Sequence, residues 1–309
     1  MVSDSGLRVL SWNVQGAVPP NGSIERIKNQ IEFLEKEVNL PDVVMLNEVT
    51  TIQRDCWREY LFEVGYTDIV DTLEWAAELR ESTVPPHQDY NHVNGNLIAL
   101  HELSDASELT RLSPSIRYGP WKNADLKDWD TNFPEKILNA TVTQNGSEIE
   151  LWNVRAVPGS MHGEEKIKIL ENTYNRIMKR PESPCILAGD FNSPKEELAD
   201  GTTIPWRHDQ KDELAQRWEE AELNILVGLE EKGMVDIFRS QHGYGEIDIL
   251  DVSHATQTEQ PELVDPVEVK GKRFDHMIAS EDLDPQDCYY DHAGFKYSDH
   301  APLIAEFNV

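Results

Sequence analysis

The sequence contains few cysteines, no long apolar run and no leader-like start. Three cysteines in 309 residues, Cys56, Cys185 and Cys288, are too few and too scattered for a disulfide framework, and no CxxC pair indicates zinc. No apolar run approaches the roughly 18 residues that span a bilayer. The opening MVSDSGLRVL lacks the basic and apolar regions of a secretory signal. We therefore expect a cytoplasmic protein without a membrane partner.

Basic residues are also scarce, because 57 acidic residues stand against 28 basic ones and give a formal net charge of −29. The acid is spread along the chain, and only short basic clusters such as KGKR at 270–273 occur. An extended grip on nucleic acid, which needs a basic face, is therefore disfavoured. Dispersed acid repels itself at low salt and is screened in molar salt, which favours a halophilic source over an ordinary acidic protein.

No repeat or linker divides the chain, so we expect one domain over residues 1–309. Its hydrophobic patterns predict helices at 23–39, with Ser23 as N-cap, at 163–180 and at 212–233, where Gly233 ends the helix. Strands are predicted at 7–14, 41–49, 148–157, 185–192, 273–280 and 300–309. This order indicates an α/β sandwich in which helices cover sheets. Residues 72–136 and 251–272 do not fit the scheme and are predicted to be surface insertions.

Polar side chains stand at the ends of several of these apolar strands. A buried strand strongly disfavours an unpaired carboxylate, so acids at several strand ends suggest that they converge on one polar site. The residues in question are Asn13, Glu48, Asn153, Arg155, Asp190, Asn192, Asp275, Asp299 and His300.

Five short segments that contain most of these residues resemble the motifs of a known family, and the resemblance spans nearly the whole chain, from Leu7 to Phe307. In order they are SWNVQG, LNEV, GDFN, FDHMIAS and SDHAP, and together they resemble the motif series of the endonuclease/exonuclease/phosphatase superfamily, which has the DNase I-like fold. The resemblance implies a four-layer αββα sandwich of two mixed β-sheets flanked by helices. It also implies a Mg²⁺- or Mn²⁺-dependent phosphoric ester hydrolase, with a phosphodiester as the favoured substrate.

The resemblance also assigns roles to the polar residues. Glu48 is the leading metal ligand, since hard Mg²⁺ prefers oxygen ligands, and Asn13 and Asp299 complete the metal site.

In the chemical step, Asp190 would orient and deprotonate the attacking water, and Asn192 would donate its amide to a phosphoryl oxygen. Protonated His300 would neutralise the growing charge, and Asp275 would hold the imidazole and raise its pKa.

The chain departs from the family pattern at two positions. Arg155 stands where many relatives have histidine or tyrosine; arginine can bind a phosphoryl oxygen but cannot pass a proton to the leaving group. His162, seven residues further on, could serve instead, although a solvated loop histidine is the favoured interpretation. Gln15 replaces an acid of some DNA-repair relatives, which weakens the case for an abasic-site endonuclease.

Other readings remain open at this point. Asn96, in a glycine-containing strand, and Asn153 are candidates for binding phosphate, whereas His87, His92 and His101 suggest a zinc hydrolase without matching a zinc signature. The arginine at 155 is also compatible with a phosphate- or nucleotide-binding protein that has lost turnover, and a phosphomonoesterase is a further alternative. The acidity favours a small phosphoester or a short or single-stranded nucleic acid, and no protein partner is predicted.

Overall fold

The computed structural model describes residues 6–17, 23–74, 76, 93–102, 108–110, 131–144, 146–180, 183–245, 249–255 and 271–308. In these ranges the strands are β1 (Gly6–Asn13), β2 (Val43–Thr50), β3 (Tyr66–Asp71), β4 (Asn94–His101), β5 (Glu108–Thr110), β6 (Ile137–Gln144), β7 (Ser147–Val154), β8 (Cys185–Asp190), β9 (Glu196–Glu197), β10 (Thr203–Ile204), β11 (Met234–Asp236), β12 (His254–Ala255), β13 (Gly271–Lys272), β14 (Asp275–Ser280), β15 (Pro285–Tyr290) and β16 (Leu303–Asn308). The helices are α1 (Ile24–Lys36), α2 (Arg54–Glu63), α3 (Gly159–Lys179), α4 (Glu213–Leu226) and α5 (Ile237–His242).

Twelve of these strands form two six-stranded sheets. One sheet has the order β15-β16-β1-β2-β4-β3 and the other the order β11-β14-β8-β7-β6-β5. Both are mixed, because β1 runs parallel to β2 and β7 parallel to β8 while the neighbouring pairs are antiparallel. Parallel strands end at the same edge of a sheet, so the last residues of β1, β2, β7 and β8 are brought to the same ends of their sheets.

Three apolar clusters show how the layers pack. Side chains from the inner faces of both sheets form one cluster, in which Val9 and Met45 of one sheet accompany Ile186 and Met277 of the other. The outer face of the first sheet packs on α1 and α2, and that of the second on α3 and α4. The protein is therefore a four-layer αββα sandwich, as the sequence predicted.

The helix boundaries follow capping rules, with one correction. The Ser23 hydroxyl caps α1 and Asp212 caps α4, in each case by accepting a bond from a first-turn N–H. The predicted single helix over 212–233 is wrong, because α4 ends at Leu226 and a 3₁₀ turn follows over Gly228–Lys232. Gly233 then reverses the chain with φ +66°, a backbone conformation that suits glycine. No helix among the described residues has the length and apolar composition needed to cross a bilayer.

The segment over 72–136 is not only a surface excursion, which corrects the sequence prediction. Its residues Asn94–His101 form β4, which lies between β2 and β3 and is largely buried. The glycine-containing strand of Asn96 is thus an inner strand of the sheet, and its continuous apolar run, Leu97–Leu100, is buried. Most of the other predicted insertion, residues 256–270, lies outside the described residues, as do 77–92 and 111–130.

A second feature of the interior is a group of paired charges, which we name the arginine cluster: Glu197, Asp236, Arg239, Asp251, Arg273 and His276. Arg273 donates to Glu197 and, at 2.8 Å, to Asp236, while Arg239 donates to Glu197 at 2.6 Å. Both oxygens of Glu197 and both oxygens of Asp236 accept hydrogen bonds. Burial opposes ionisation of Glu197, but its arginine partners outweigh this and lower its pKa to about 2.

Candidate active site

The polar residues at the strand ends meet where the two sheets face each other. Asp190 is the last residue of β8 and is directly opposite Asp275, the first residue of the antiparallel β14. Gly189 precedes it with φ +141°, and a Cβ there would lie 1.9 Å from the Val154 carbonyl oxygen of β7. Only glycine therefore allows β8 to approach β7 so closely beside Asp190.

Glu48 is placed by an irregularity in β2. The pairing of β2 with β4 shifts register between Leu46 and Val49, and Glu48 adopts φ +62°. A left-handed conformation costs a non-glycine residue of the order of 1–3 kcal/mol and clusters at functional sites. Gln15 and Asn192, which flank the same group of side chains, also have positive φ values of 52° and 48°.

Asn13 lies among three of the predicted site residues. Its amide nitrogen is 3.0 Å from Asp190 Oδ2 and 3.4 Å from His300 Nε2, and its side chain lies beside Glu48. Its Oδ1 accepts from the backbone N–H of Gln15 at 2.9 Å, which fixes the amide orientation. Glu48, Asp190 and His300 are therefore neighbours in space and do not point into separate regions.

Asp190 is held by a second amide. Asn192 donates its backbone N–H to Asp190 Oδ1 at 2.9 Å and its side-chain N–H to Oδ2 at 3.1 Å. The same side-chain nitrogen donates to the Ala156 carbonyl at 2.8 Å. In this structure Asn192 orients Asp190, and its predicted bond to a phosphoryl oxygen stays a prediction.

His300 and Asp275 form a buried pair. Asp275 Oδ2 lies 2.8 Å from His300 Nδ1, and the two residues are 0% and 5% exposed. Burial alone would lower the pKa of His300, but Asp275 and Asp190 outweigh it and raise the pKa to about 10. At neutral pH the imidazole is therefore protonated, and its cationic Nε2–H lies on the side of the Asp299 carboxylate, 3.9 Å away.

Arg155 reaches the same group from the end of β7. Its guanidinium forms an ion pair with Glu48 and lies 3.8 Å from Asp190 Oδ2. Burial opposes ionisation of Glu48, yet Arg155 and His300 leave its pKa below the usual value. Glu48 is therefore an anion in this site.

Asp299 lies at the more open side, together with a histidine that the sequence analysis did not single out. Asp299 carboxylate oxygens are 3.9 Å from His300 Nε2 and 3.9 Å from His254 Nε2. Within the described ranges, Asp299 Oδ1 and Asp275 Oδ1 are buried and have no hydrogen-bond partner. Burial, with the positive charge of His300, lowers the pKa of His254 to about 4, so that its ring is neutral at pH 7.

The donor set suits a hard divalent cation. Asp190 accepts from the Asn13 amide, Glu48 pairs with Arg155, and Asp299 lies 3.9 Å from His300. Oδ1 of Asp275 and Oδ1 of Asp299 are buried and accept no hydrogen bond from the described part of the chain. Two groups, His254 with Asp299 and His300, and Asp190 with Asp275 and His300, place potential ligand atoms within 4.8 Å of one another. His300 is protonated and held by Asp275, so its ring has no lone pair for a metal ion. The carboxylate oxygens are therefore more suitable ligands than this histidine, and oxygen ligands are those that Mg²⁺ or Mn²⁺ prefers.

Comparison with known proteins agrees with the resemblance found in the sequence. The model of the Endonuclease/Exonuclease/phosphatase family matches residues 10–300. The chain belongs to this family. Family membership indicates a hydrolytic phosphoesterase. A search of curated proteins found no match.

Solved structures of the family's DNase I-like fold resemble the chain over nearly its full length. An AP endonuclease from Archaeoglobus fulgidus has a TM-score of 0.61 and 20% identity, with 98% of this chain and 100% of that one covered. A humanized D. rerio TDP2 has a TM-score of 0.58 and 20% identity, with coverage of 99% and 100%. AP endonuclease LMAP from Leishmania major has a TM-score of 0.59 and 16% identity, with coverage of 98% and 88%.

Asn96 and Asn153, which were predicted to bind phosphate, lie between the two six-stranded sheets. Asn96 donates to the Lys136 and Asn153 carbonyls, and Asn153 donates to the Leu46 and Leu97 carbonyls. Both are 0% exposed. Their amide nitrogens are thus occupied by backbone oxygens, and phosphate binding by them gains no support here.

The residue that joins these asparagines to the site is Asn47, which sequence reasoning passed over. Its Nδ2 donates to Asn96 Oδ1 at 3.0 Å and Asn153 Oδ1 at 2.7 Å, and its Oδ1 accepts from the Asp190 N–H at 3.0 Å. An amide beside Glu48 within a buried strand was the available signal. Asn47 connects the strand of Glu48 to the strand of Asp190.

The remaining histidine predictions find little in the described structure. His162 is exposed and its ring packs 5.2 Å from the Phe133 ring, outside the group around Asp190. His101 packs edge-on against Tyr66 at 5.2 Å. His87 and His92 lie outside the described residues, so the zinc hypothesis stays a prediction. Gln15 is 5% exposed and accepts from Arg26 at 3.0 Å.

Proposed function

We propose that the protein hydrolyses a phosphodiester bond in a reaction that depends on Mg²⁺ or Mn²⁺. The observation that carries the proposal is the single buried group in which Asn13 donates to Asp190 and approaches His300, while Arg155 contacts both Glu48 and Asp190. A carboxylate base, a protonated imidazole and an anionic metal ligand are the parts that this hydrolysis needs.

Glu48 would hold the cation, with Asn13 and Asp299 beside it. The anionic state of Glu48, the unpartnered Oδ1 of Asp299 and the oxygen-rich donor set support this assignment. When bound, a hard cation supplies positive charge to a phosphoryl oxygen and so stabilises the transition state.

Asp190 would accept the proton of the attacking water. Its two oxygens receive three hydrogen bonds, from the Asn13 amide and from the backbone and side chain of Asn192, and these fix the direction of its remaining lone pairs. A positioned base of this kind contributes about 10²–10⁴ to the rate.

His300 would neutralise the charge that grows on the phosphoryl oxygens. Its Nδ1 is held by Asp275 at 2.8 Å, which directs Nε2 towards the opening near Asp299. With a pKa near 10 the imidazolium keeps its proton at neutral pH. The pair therefore supplies a fixed positive charge and does not serve as a proton shuttle near pH 7.

Arg155 would bind a phosphoryl oxygen, since a guanidinium is always charged and matches the geometry of phosphate. It cannot protonate the leaving group. We therefore expect the leaving oxygen to be a weak base, or to take its proton from water.

The substrate we favour is short or single-stranded nucleic acid, with small phosphoesters as the alternative. One structural neighbour is a D. rerio TDP2 complexed with single-strand DNA product, at 20% identity and a TM-score of 0.58. The net charge of −29 disfavours a long polyanion, because repulsion grows with the number of phosphates in reach.

The test is a cleavage panel of single-stranded DNA, duplex DNA with an abasic site, RNA, cyclic dinucleotides and phosphorylated small molecules. The reactions are run with Mg²⁺ and Mn²⁺, at low and molar KCl, with and without a chelator. We expect cleavage of at least one phosphodiester and its loss in the chelator. No cleavage of any phosphoester under all conditions would contradict the proposal.

The control variant is Asp190→Ala. We expect turnover to fall by roughly 10²–10⁴ while circular dichroism and the unfolding midpoint stay close to those of the wild type. Activity that survives in this variant would assign the cleavage to a contaminant or to another base.

A further inference from the structure

Arg155 is the cation in direct contact with Glu48. The guanidinium and the carboxylate form an ion pair although they are only 8% and 6% exposed. The guanidinium Nε is buried without a hydrogen-bond partner and lies 3.8 Å from Asp190 Oδ2. Removing one member of a buried pair leaves an uncompensated charge, so this contact matters to the folded state.

Other basic groups near Glu48 are committed elsewhere. Arg26 donates to the backbone carbonyls of Val14, Gln15 and Tyr297, and Lys136 donates to Asn94. His300 is engaged by Asp275. Among the described residues, Arg155 is therefore the basic side chain that pairs with Glu48, and Asp190 and Asp299 add further negative charge around it.

A divalent cation on Glu48 would compete with this ion pair. A metal ion on Glu48 would share this carboxylate with the guanidinium, and the two positive charges would repel each other. Arginine cannot relieve the repulsion by losing its proton. The repulsion therefore favours a guanidinium that moves away from Glu48, and Asp190 Oδ2, 3.8 Å from Nε, is an anion within its reach.

We propose that Arg155 is a built-in counter-ion that occupies Glu48 in the metal-free protein and is displaced when a divalent cation binds. The inference rests on the proposed function in one respect, that Glu48 is a metal ligand. Arg155 then keeps the acidic site folded without metal and lowers its affinity for metal. By linkage, a phosphate that draws Arg155 away from Glu48 raises the affinity for the cation.

The experiment measures Mn²⁺ binding directly, without substrate or phosphate, by calorimetry and by the loss of the free Mn²⁺ signal in electron paramagnetic resonance. Metal-stripped wild type and Arg155→Gln are compared. We expect Arg155→Gln to bind Mn²⁺ about tenfold more tightly, within the 5- to 150-fold range of typical coupling between sites. Its unfolding temperature should also rise more on addition of Mn²⁺ than that of the wild type.

Two variants serve as controls. Arg155→Lys keeps the charge and should bind Mn²⁺ with an affinity near that of the wild type. Arg54→Gln removes a different guanidinium from a buried carboxylate, since Arg54 Nε donates to both oxygens of Asp71 at 2.9 and 3.0 Å. This variant should be less stable and should bind Mn²⁺ as the wild type does.

The possible outcomes separate this inference from the proposed function. Wild-type or weaker Mn²⁺ affinity in Arg155→Gln would overturn the counter-ion role and leave the metal site intact. Absence of Mn²⁺ binding in both proteins, or tight binding that persists in a Glu48→Gln/Arg155→Gln double variant, would overturn the assignment of Glu48 and the inference together. If Arg155→Gln does not fold without metal, refolding on addition of Mn²⁺ supports the proposal, and Arg155→Met carries the same affinity test.

Discussion

Two groups of buried charge lie on opposite faces of β14, and they differ in how their acids are satisfied. His276 points into the arginine cluster, where every oxygen of Glu197 and Asp236 accepts a hydrogen bond. Asp275, its neighbour, points into the candidate site, where Oδ1 of Asp275 and Oδ1 of Asp299 accept no hydrogen bond from any described residue. The carboxylates of Glu197 and Asp236 are therefore satisfied as they stand, whereas the candidate site retains oxygens that can accept a ligand.

The two groups also differ in the balance between basic side chains and carboxylates. In the arginine cluster, Arg239 and Arg273 oppose three carboxylates, and His276 supplies a further donor. In the site, Arg155 and His300 oppose four carboxylates. We expect loss of an acid to unfold the protein in the first group and to abolish function in the second.

The largest expected effect is on catalysis. Glu48→Gln should lower kcat/KM by about a thousandfold, because a metal ligand that stabilises charge is worth several kcal/mol. The free energy of unfolding should fall less than turnover does, because Asp190 lies 3.8 Å from Arg155 Nε and still offsets the guanidinium. Steady-state kinetics over a range of Mn²⁺ concentrations, alongside urea unfolding, measure both quantities. Full activity at saturating Mn²⁺ would show that Glu48 is dispensable and would remove the distinction between the two groups.

The matching change in the arginine cluster should have the opposite result. Glu197→Gln leaves Arg239 and Arg273 without their shared carboxylate and should cost about 3 kcal/mol or more in the free energy of unfolding. Turnover per folded molecule should stay near that of the wild type. Urea unfolding with and without Mn²⁺ is the measurement, and a stability restored by Mn²⁺ would place Glu197 in the metal site instead.

In the metal-free protein, the two groups should lose their contributions to the free energy of unfolding at opposite ends of the pH scale. Glu197 has a folded pKa of about 2 against about 4.3 when unfolded, so its contribution is present above pH 4.3 or so and is lost as the pH falls towards 2. His300 has a folded pKa of about 10 against about 6.5, so its contribution is present below pH 6.5 or so and is lost as the pH rises towards 10.

Unfolding curves in steps of pH test this prediction. Glu197→Gln should flatten the acid limb and His300→Asn the alkaline limb, each by at least about 2 kcal/mol, given 1.36 kcal/mol for each unit of pKa shift. Each variant is the control for the other limb. A variant that flattens both limbs would show that the two groups titrate as one unit.

The smallest expected effect concerns salt. The dispersed surface acid should make the whole protein more stable by about 1 kcal/mol between 0.1 and 1 M KCl, as the Debye length falls from about 10 to 3 Å. The penalty for Glu197→Gln should not change with KCl, because buried pairs are poorly screened. Urea midpoints at several KCl concentrations decide the matter, and a wild-type stability that falls with salt would contradict the halophilic hypothesis.

Local pattern was enough to predict an α/β sandwich with polar residues at the strand ends, whereas the four layers and the roles of those residues came from the family resemblance. The apolar stripe of α1 predicts a helix, and the apolar runs of β1, β2 and β8 predict strands. The polar residue near the end of each of these strands indicates the edge of the sheet. Contacts between the sheets were beyond this kind of reasoning. The ion pair of Arg155 with Glu48 depends on how β7 stacks on β2, which no single segment encodes.

The other misses have similar causes. Asn47 was hidden by its more reactive neighbour Glu48, and His254 lies in a polar stretch with no periodicity, so only its position near Asp299 reveals it. The end of α4 at Leu226 was missed because the apolar pattern runs on to Leu229, which is buried from the following 3₁₀ turn.

Asn47 gives the fold a property that neither sheet has alone. One carboxamide spans the seam, touching β4 and β7 through Nδ2 and the start of the Asp190 peptide through Oδ1. Any slippage between the halves of the sandwich would break this contact before it exposed apolar core. The Asn47 contacts therefore form only when the two sheets are packed together. A chain in which the sheets had not yet packed would lack these contacts, and Glu48 and Asp190 would not be aligned.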